Sequence, residues 1–273
     1  MEIKSLPEVK YYPSNNDINW LVRKFETIKS NQKNIKLVDN FIPRPDVALV
    51  FNFKGIPEVL SPDNIQLKRL FIATIPVRPL QLLLKNEINS FIVVCNPTIL
   101  SKILKINLKN EIPVVEIFDD RFMDLWENLS LKNNDFERIK YFSEFVTHIV
   151  SGKYEPDMID RIYVDIIDNC TNKSIKQLTE KSYLSMSSLQ RCFLKRTGIS
   201  MKKMIRIARV HTIFKLMLKE QQFDCKSILY ESCYYDQSHF IRDFKEITGL
   251  SPKKFFKNNS EVLRMFSGME SIS

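Results

Sequence analysis

Ser187, Gln190, Arg191 and Lys195 make one set of closely spaced polar side chains, and Gln237, Ser238, Arg242 and Lys245, with Ile241 among them, make a second. Glutamine can bond adenine bidentately, arginine can do the same with guanine, and serine serves either a base or a phosphate. A plain solvated surface has the same composition, so neither set alone decides between the two readings. Repetition separates them. Leu178, Ser187, Arg191, Phe193, Thr197, Gly198, Ser200 and Lys203 recur 51 residues later as Leu229, Ser238, Arg242, Phe244, Thr248, Gly249, Ser251 and Lys254. Eight identities at one offset mark an internal repeat.

Each copy reads as a helix holding Leu178 or Leu229, a short break, and a second helix opened by Ser185 or Asp236 and closed by Gly198 or Gly249. Ser and Asp accept the free N–H groups of a first turn, and Gly takes the left-handed conformation that ends a helix. Leu189 and Phe193, like Phe240 and Phe244, stand at i, i+4 and face a core, which turns the polar sets outward. Two helices joined by a tight turn, twice over, are a tandem helix-turn-helix. Between the motifs runs Met201 to Lys219, about 28 Å of helix at 1.5 Å per residue, against roughly 34 Å for one turn of B-DNA. Lys202, Arg206 and Arg209 share one stripe of this spacer, while Ile207, Val210, Phe214 and Met217 share another that should pack on both motifs. Lys202 and Arg206 therefore join the expected DNA-contacting residues.

Charge follows the repeat. The chain has a net charge of +9, and residues 173–257 hold 18 Lys and Arg against 7 Asp and Glu, so the rest is slightly acidic. A basic excess confined to a groove-reading motif points to nucleic acid. At 273 residues and 44% hydrophobic content there is room for two globular domains. No run of 18 apolar residues and no basic-then-apolar N-terminus occurs, so no membrane span and a cytoplasmic location are expected. Five cysteines without a C-x-x-C pair suit reduced thiols.

Eleven of the twelve prolines lie at or before Pro156, which divides a half rich in strands and turns from a half rich in helices. The expected domains are 1–155, a β-rich sensor or dimerisation unit with helices at its end, and 156–258, followed by a tail at 259–273. A fragment starting near Asp157 is expected to fold alone. Apolar runs at Trp20 to Thr27, Ala48 to Phe53, Leu70 to Ile75, Phe91 to Cys95 and Val114 to Phe118 read as strands. Helices are expected over Pro97 to Ile106, Asp119 to Leu129 and Asp135 to Ser151, the last with a stripe of Phe136, Ile139, Phe142, Phe145, Val146 and Ile149 that packs on the β-domain or across a dimer. Downstream helices are expected over Asp157 to Asn169, Ser174 to Lys181, Ser185 to Arg196, Ser200 to Lys219, Cys225 to Ser232, Asp236 to Glu246 and Pro252 to Lys257. The fold class is α+β.

Catalytic chemistry finds little footing. His148, His211 and His239 do not stand at i, i+4 from one another or from a cysteine, and Cys225, Cys233 and His239 have spacings that no zinc module uses. Five scattered glycines form no phosphate loop, and no G-x-S-x-G elbow occurs. Asp119 and Asp120 read as the start of a helix, where the macrodipole favours acids. Neither an enzyme nor a cofactor or metal site is expected.

Residues 157–257 resemble the DNA-binding domain of the AraC/XylS family of bacterial transcription regulators. The resemblance rests on Ile228, Asp236, Gln237, Ser238, His239, Phe240, Arg242, Phe244, Lys245, Thr248, Gly249, Ser251 and Pro252 in the second motif, and on Ser185, Leu189, Arg191, Phe193, Gly198 and Ser200 in the first. Cys233 stands where the family usually has Gly, Thr179 and Leu229 where it has Ala, and Met201 where it often has Pro. The segment Thr74 to Pro79, followed by an apolar run and Phe91 to Pro97, is similar to the cupin-like β-domain of some of these regulators. The resemblance implies a seven-helix domain with two helix-turn-helix motifs, double-stranded DNA and RNA polymerase as partners, and an N-terminal domain that takes a small-molecule effector or forms a homodimer. The competing reading is a protein-interaction module whose helical domain no longer binds specific DNA.

Overall fold

The computed structural model describes residues 7–33, 36–61, 64–109, 114–116, 119–150, 154–169, 177, 182–219, 234 and 236–257. Among the described residues the first half holds ten strands, the last of them after a helix: β1 (Glu8–Pro13), β2 (Val22–Ser30), β3 (Lys36–Phe41), β4 (Val47–Lys54), β5 (Glu58–Ser61), β6 (Ile65–Gln66), β7 (Leu70–Ala73), β8 (Leu80–Lys85), β9 (Ile88–Cys95) and β10 (Val114–Glu116). They form a six-stranded sheet in the order β1-β2-β9-β4-β7-β10 and a four-stranded sheet in the order β3-β8-β5-β6, with antiparallel pairing throughout.

Strand β4 shows why the larger sheet reads as unbroken apolar runs. Side chains alternate across a strand, so Val47, Leu49 and Phe51 enter the core shared with the helices. Ala48 and Val50 enter a second core with Val59, Leu67, Phe71 and Leu80. A strand buried on both faces needs apolar residues at every position.

Three helices belong to this half: α1 (Pro97–Leu104), α2 (Asp120–Ser130) and α3 (Asp135–Ile149). Asn96 caps α1 by accepting from the N–H groups of Thr98 and Ile99, and Asp119 caps α2 by accepting from Arg121. The Asn134 side chain accepts from the Glu137 N–H at 2.9 Å, and the Glu137 carboxylate reaches back to accept from the Asn133 N–H at 3.1 Å. That reciprocal arrangement fixes the entry of α3. Phe142 of α3 meets Phe25, Phe51 and Phe91 edge-on, so the stripe packs on the β-domain as the first of its two readings expects. Phe136 remains largely exposed and touches only the edge of the Tyr12 ring among the described aromatic pairs.

The second half supplies α4 (Met158–Asn169), α5 (Met186–Thr197), α6 (Met201–Lys219), α7 (Gln237–Thr248) and α8 (Pro252–Lys257). The helices expected over Ser174 to Lys181 and Cys225 to Ser232 lie outside the described residues, Gln177 excepted, as do Cys233 and the tail. Strands β1, β3, β5, β6 and β8 were not among the sequence expectations, so the four-stranded sheet is a finding of the structure.

The core does not stop at Pro156. Phe25 and Phe91 of the β-domain share one buried cluster with Phe193, Phe214 and Phe244 of the helical region. Tyr163 of α4 is fully buried, and its hydroxyl donates to the Asp46 carboxylate at 2.9 Å. His211 of α6 sits 2.9 Å from the Pro43 carbonyl through Nε2. These contacts tie the helical region to the strand connections at residues 43–46.

Candidate nucleic-acid interface

Helices α5 and α7 are built alike, down to single hydrogen bonds. Ser185 caps α5 by accepting from the Ser188 N–H, and Asp236 caps α7 by accepting from the His239 N–H. Both helices end at a left-handed glycine, Gly198 with φ 83° and Gly249 with φ 79°. The Thr197 hydroxyl donates to Phe193 O and bonds Ile199 O, each at 2.8 Å; the Thr248 hydroxyl repeats this with Phe244 O and Leu250 O at 2.8 and 2.9 Å. Leu189, Phe193, Phe240 and Phe244 are buried.

The opposite faces are open. Ser187, Gln190, Arg191 and Lys195 of α5 are exposed, as are Gln237, Ser238, Ile241, Arg242 and Lys245 of α7 and Lys202 at the start of α6. Each helix therefore offers a polar, cationic surface that includes a Gln and an Arg. The intervening helix carries Ile207, Val210 and Phe214 buried against both motifs, and its Phe214 ring packs on Phe244 and Phe255.

Arg206 departs from the sequence expectation. Its guanidinium turns onto α7, where Nε donates to Asp243 Oδ1 at 3.0 Å and Nη2 pairs with Glu246. Lys203 reaches the same Glu246 at 2.7 Å. Hydrogen bonds from Arg206 and Lys203 hold the Glu246 carboxyl at about 2, well below its ordinary value. Arg209 is half-buried, with its guanidinium 5.8 Å from the centre of the Tyr234 ring. Of the three basic residues on that stripe, only Lys202 points freely outward.

The first motif is held differently. Arg196, at the end of α5, pairs with Asp157 at 2.7 Å and with Asp160 at 2.5 Å, and donates to the Thr98 carbonyl of α1 through Nε and Nη2. Asp160 also accepts from the hydroxyls of Thr98 and Tyr154. The Leu108 N–H donates to Lys195 O at 2.9 Å. A Cβ at Gly198 would stand 2.6 Å from Leu108 O, so this glycine serves both the helix end and the close approach of the β-domain. Burial pushes the Asp157 carboxyl up, but hydrogen bonds from Lys102 and Arg196 outweigh it and bring it to about 2.

Those two depressed carboxyls set a pH dependence. A carboxyl whose folded pKa lies below its unfolded value stabilises the fold above the unfolded value, and that contribution disappears as pH falls through the folded one. For Asp157 and Glu246 the window runs from the ordinary 3.8 and 4.5 down to about 2. Urea midpoints measured between pH 5 and pH 2 should therefore decline through that window, and a Glu246→Gln chain should decline less. A flat profile would contradict both assignments.

Two capped helices of matching construction, each open on a cationic face, are what the described residues show of the repeat. Residues 178–258 match a family model described as a helix-turn-helix domain. That match supports a DNA-binding transcription regulator. The chain is also similar to ToxT from Vibrio cholerae, at 12% identity over 93% of this chain and 98% of that one with a TM-score of 0.48. It is similar to a DNA-binding transcriptional dual regulator from Escherichia coli K-12, at 20% identity over 40% of this chain and 96% of that one with a TM-score of 0.33. No curated protein matches the chain. Among the described residues no helix is long and apolar enough to cross a membrane.

Proposed function

We propose that this protein is a sequence-specific transcription regulator whose helices α5 and α7 enter successive major grooves on one face of DNA. The observation that carries this reading is the pair of equivalent, outward-facing sets, Ser187, Gln190, Arg191 and Lys195 on α5 and Gln237, Ser238, Ile241, Arg242 and Lys245 on α7. Their faces are not identical, and a fixed spacer rather than a two-fold axis relates them, so one chain should protect an asymmetric site. The spacer's rise of about 28 Å is somewhat less than one helical turn of about 34 Å. Simultaneous docking then calls for a modest bend in the DNA, costing on the order of 1–6 kcal/mol.

Selection from a random duplex pool, followed by footprinting of the chain on the selected site, tests the proposal. Two protected segments about one turn apart are expected; a symmetric footprint that requires two chains would defeat it. Arg191→Ala and Arg242→Ala should each weaken binding to that site by about 1–3 kcal/mol if they read a base. Contact with phosphate instead would cost affinity equally on all sequences and make the salt dependence shallower. Unchanged affinity for both variants at matched salt removes them from the interface.

The same reading gives the regulator RNA polymerase as its target and a homodimer as an available form, and assigns a small-molecule effector to the β-domain. The place considered for the effector is a small, partly open pocket of about 80 Å³ between the sheets, lined by Ile28, Phe41, Arg44, Leu84 and Ser90 among others, which would have to widen to take a typical ligand. Arg44 is buried there, bonded to Glu26 at 2.8 Å, and its Nε has no hydrogen-bond partner.

A further inference from the structure

Among the described residues, the two motifs differ just before α5 and α7. Tyr183 and Tyr234 are 51 residues apart, and each stands two residues ahead of its helix cap. Tyr234 is buried, with its hydroxyl donating to Asp243 at 3.3 Å. The position of Asp243 is taken in the first motif by Cys192, whose thiol is a weak acceptor. Tyr183 is turned out completely into solvent, followed by Leu184, 51% exposed, and Met186, 36% exposed.

Three neighbouring apolar side chains at the leading end of α5 are thus presented outward, beside Ser187 and one turn ahead of Gln190 and Arg191. Their surroundings decide what covers them. Arg191, Lys195 and Lys202 are exposed within residues 182–203, which contain no Asp or Glu, and this suits a polyanion. In a helix-turn-helix the N-terminal residues of the recognition helix are the ones that reach base edges. The apolar group that a base presents in the major groove is the 5-methyl of thymine.

We propose that Tyr183, Leu184 and Met186 form an apolar tip that reads thymine methyl groups in the DNA segment entered by α5. The inference rests on the DNA-binding reading above and makes the first segment's specificity partly apolar. The second helix opens on Gln237 and Ser238 and offers no such tip among its described residues.

The test replaces thymines of the selected site one at a time with deoxyuridine, which removes the methyl and leaves base pairing intact. With the native chain, one or two replacements in the first segment should weaken binding about fourfold each, the equivalent of one buried methyl. Met186→Ala and Leu184→Ala chains should bind the thymine site more weakly and no longer distinguish it from the uracil site, whereas Arg191→Ala should keep the distinction. A site insensitive to every uracil, or a ratio unchanged in the Tyr183→Ala, Leu184→Ala and Met186→Ala chains, overturns the proposal while leaving specific DNA binding in place. Failure to select any sequence would remove the DNA-binding reading and this inference together.

Discussion

Replacing Arg206 with alanine is expected to destabilise the chain by about 3–5 kcal/mol, the usual effect of removing one partner from a buried ion pair. Asp243 is 1% exposed and would be left with the Tyr234 hydroxyl at 3.3 Å and His239 Nε2 at 3.5 Å. Glu246 would keep Lys203. Because Asp243 and Glu246 lie on α7, the helix proposed above to enter a major groove, the loss should also misplace α7 and, on that proposal, weaken specific DNA binding. Chemical unfolding separates this from direct contact. A phosphate-binding Arg206 would leave stability within about 1 kcal/mol of the parent and reduce the slope of log affinity against log salt by about one. Replacing both partners, as Arg206→Leu with Asp243→Leu, should recover much of the lost stability, since apolar pairs of similar volume often substitute for buried ions.

Arg196→Ala should cost about 3 kcal/mol, at the lower end of the same range. Asp160 is 1% exposed but would retain three donors, the hydroxyls of Thr98 and Tyr154 and the Asp157 N–H. The larger consequence is positional: the Thr98 carbonyl loses both guanidinium donors, and α5 loses its charged tie to the β-domain. A chain beginning at Asp157 forfeits Thr98, Leu108 and Asp46 as well, so it should unfold at lower denaturant than the whole protein even if it folds alone. Urea titration of the Arg196→Ala chain decides the matter; a midpoint within experimental error of the parent would show that this junction does not hold the first motif.

Much of the helical half was legible because its determinants are local. Caps at Ser185 and Asp236, left-handed glycines at 198 and 249 and core pairs at i, i+4 act within a dozen residues, so α5 and α7 begin and end within one or two positions of expectation. The five apolar runs correspond to β2, β4, β7, β9 and β10, all in the larger sheet. What escaped was the edge strand β1 and the whole smaller sheet. Its strands mix polar with apolar residues, as in Lys36–Phe41, or carry the helix-compatible leucines of Leu80–Lys85, and its longest pairing, β3 with β8, joins segments remote in sequence.

The sequence by itself determined the repeat, the helix boundaries within it, the concentration of positive charge and the residue types of both outward faces. Only the tertiary structure decided which arginines serve those faces. Arg191 and Arg196 belong to the same helix, yet one is exposed and the other is held by carboxylates 36 and 39 positions away. Arg206 was assigned to DNA by its stripe and is claimed instead by Asp243 and Glu246, 37 and 40 positions distant. Helical periodicity fixes the direction of a side chain relative to its own axis, whereas the partner it meets depends on how separate helices pack.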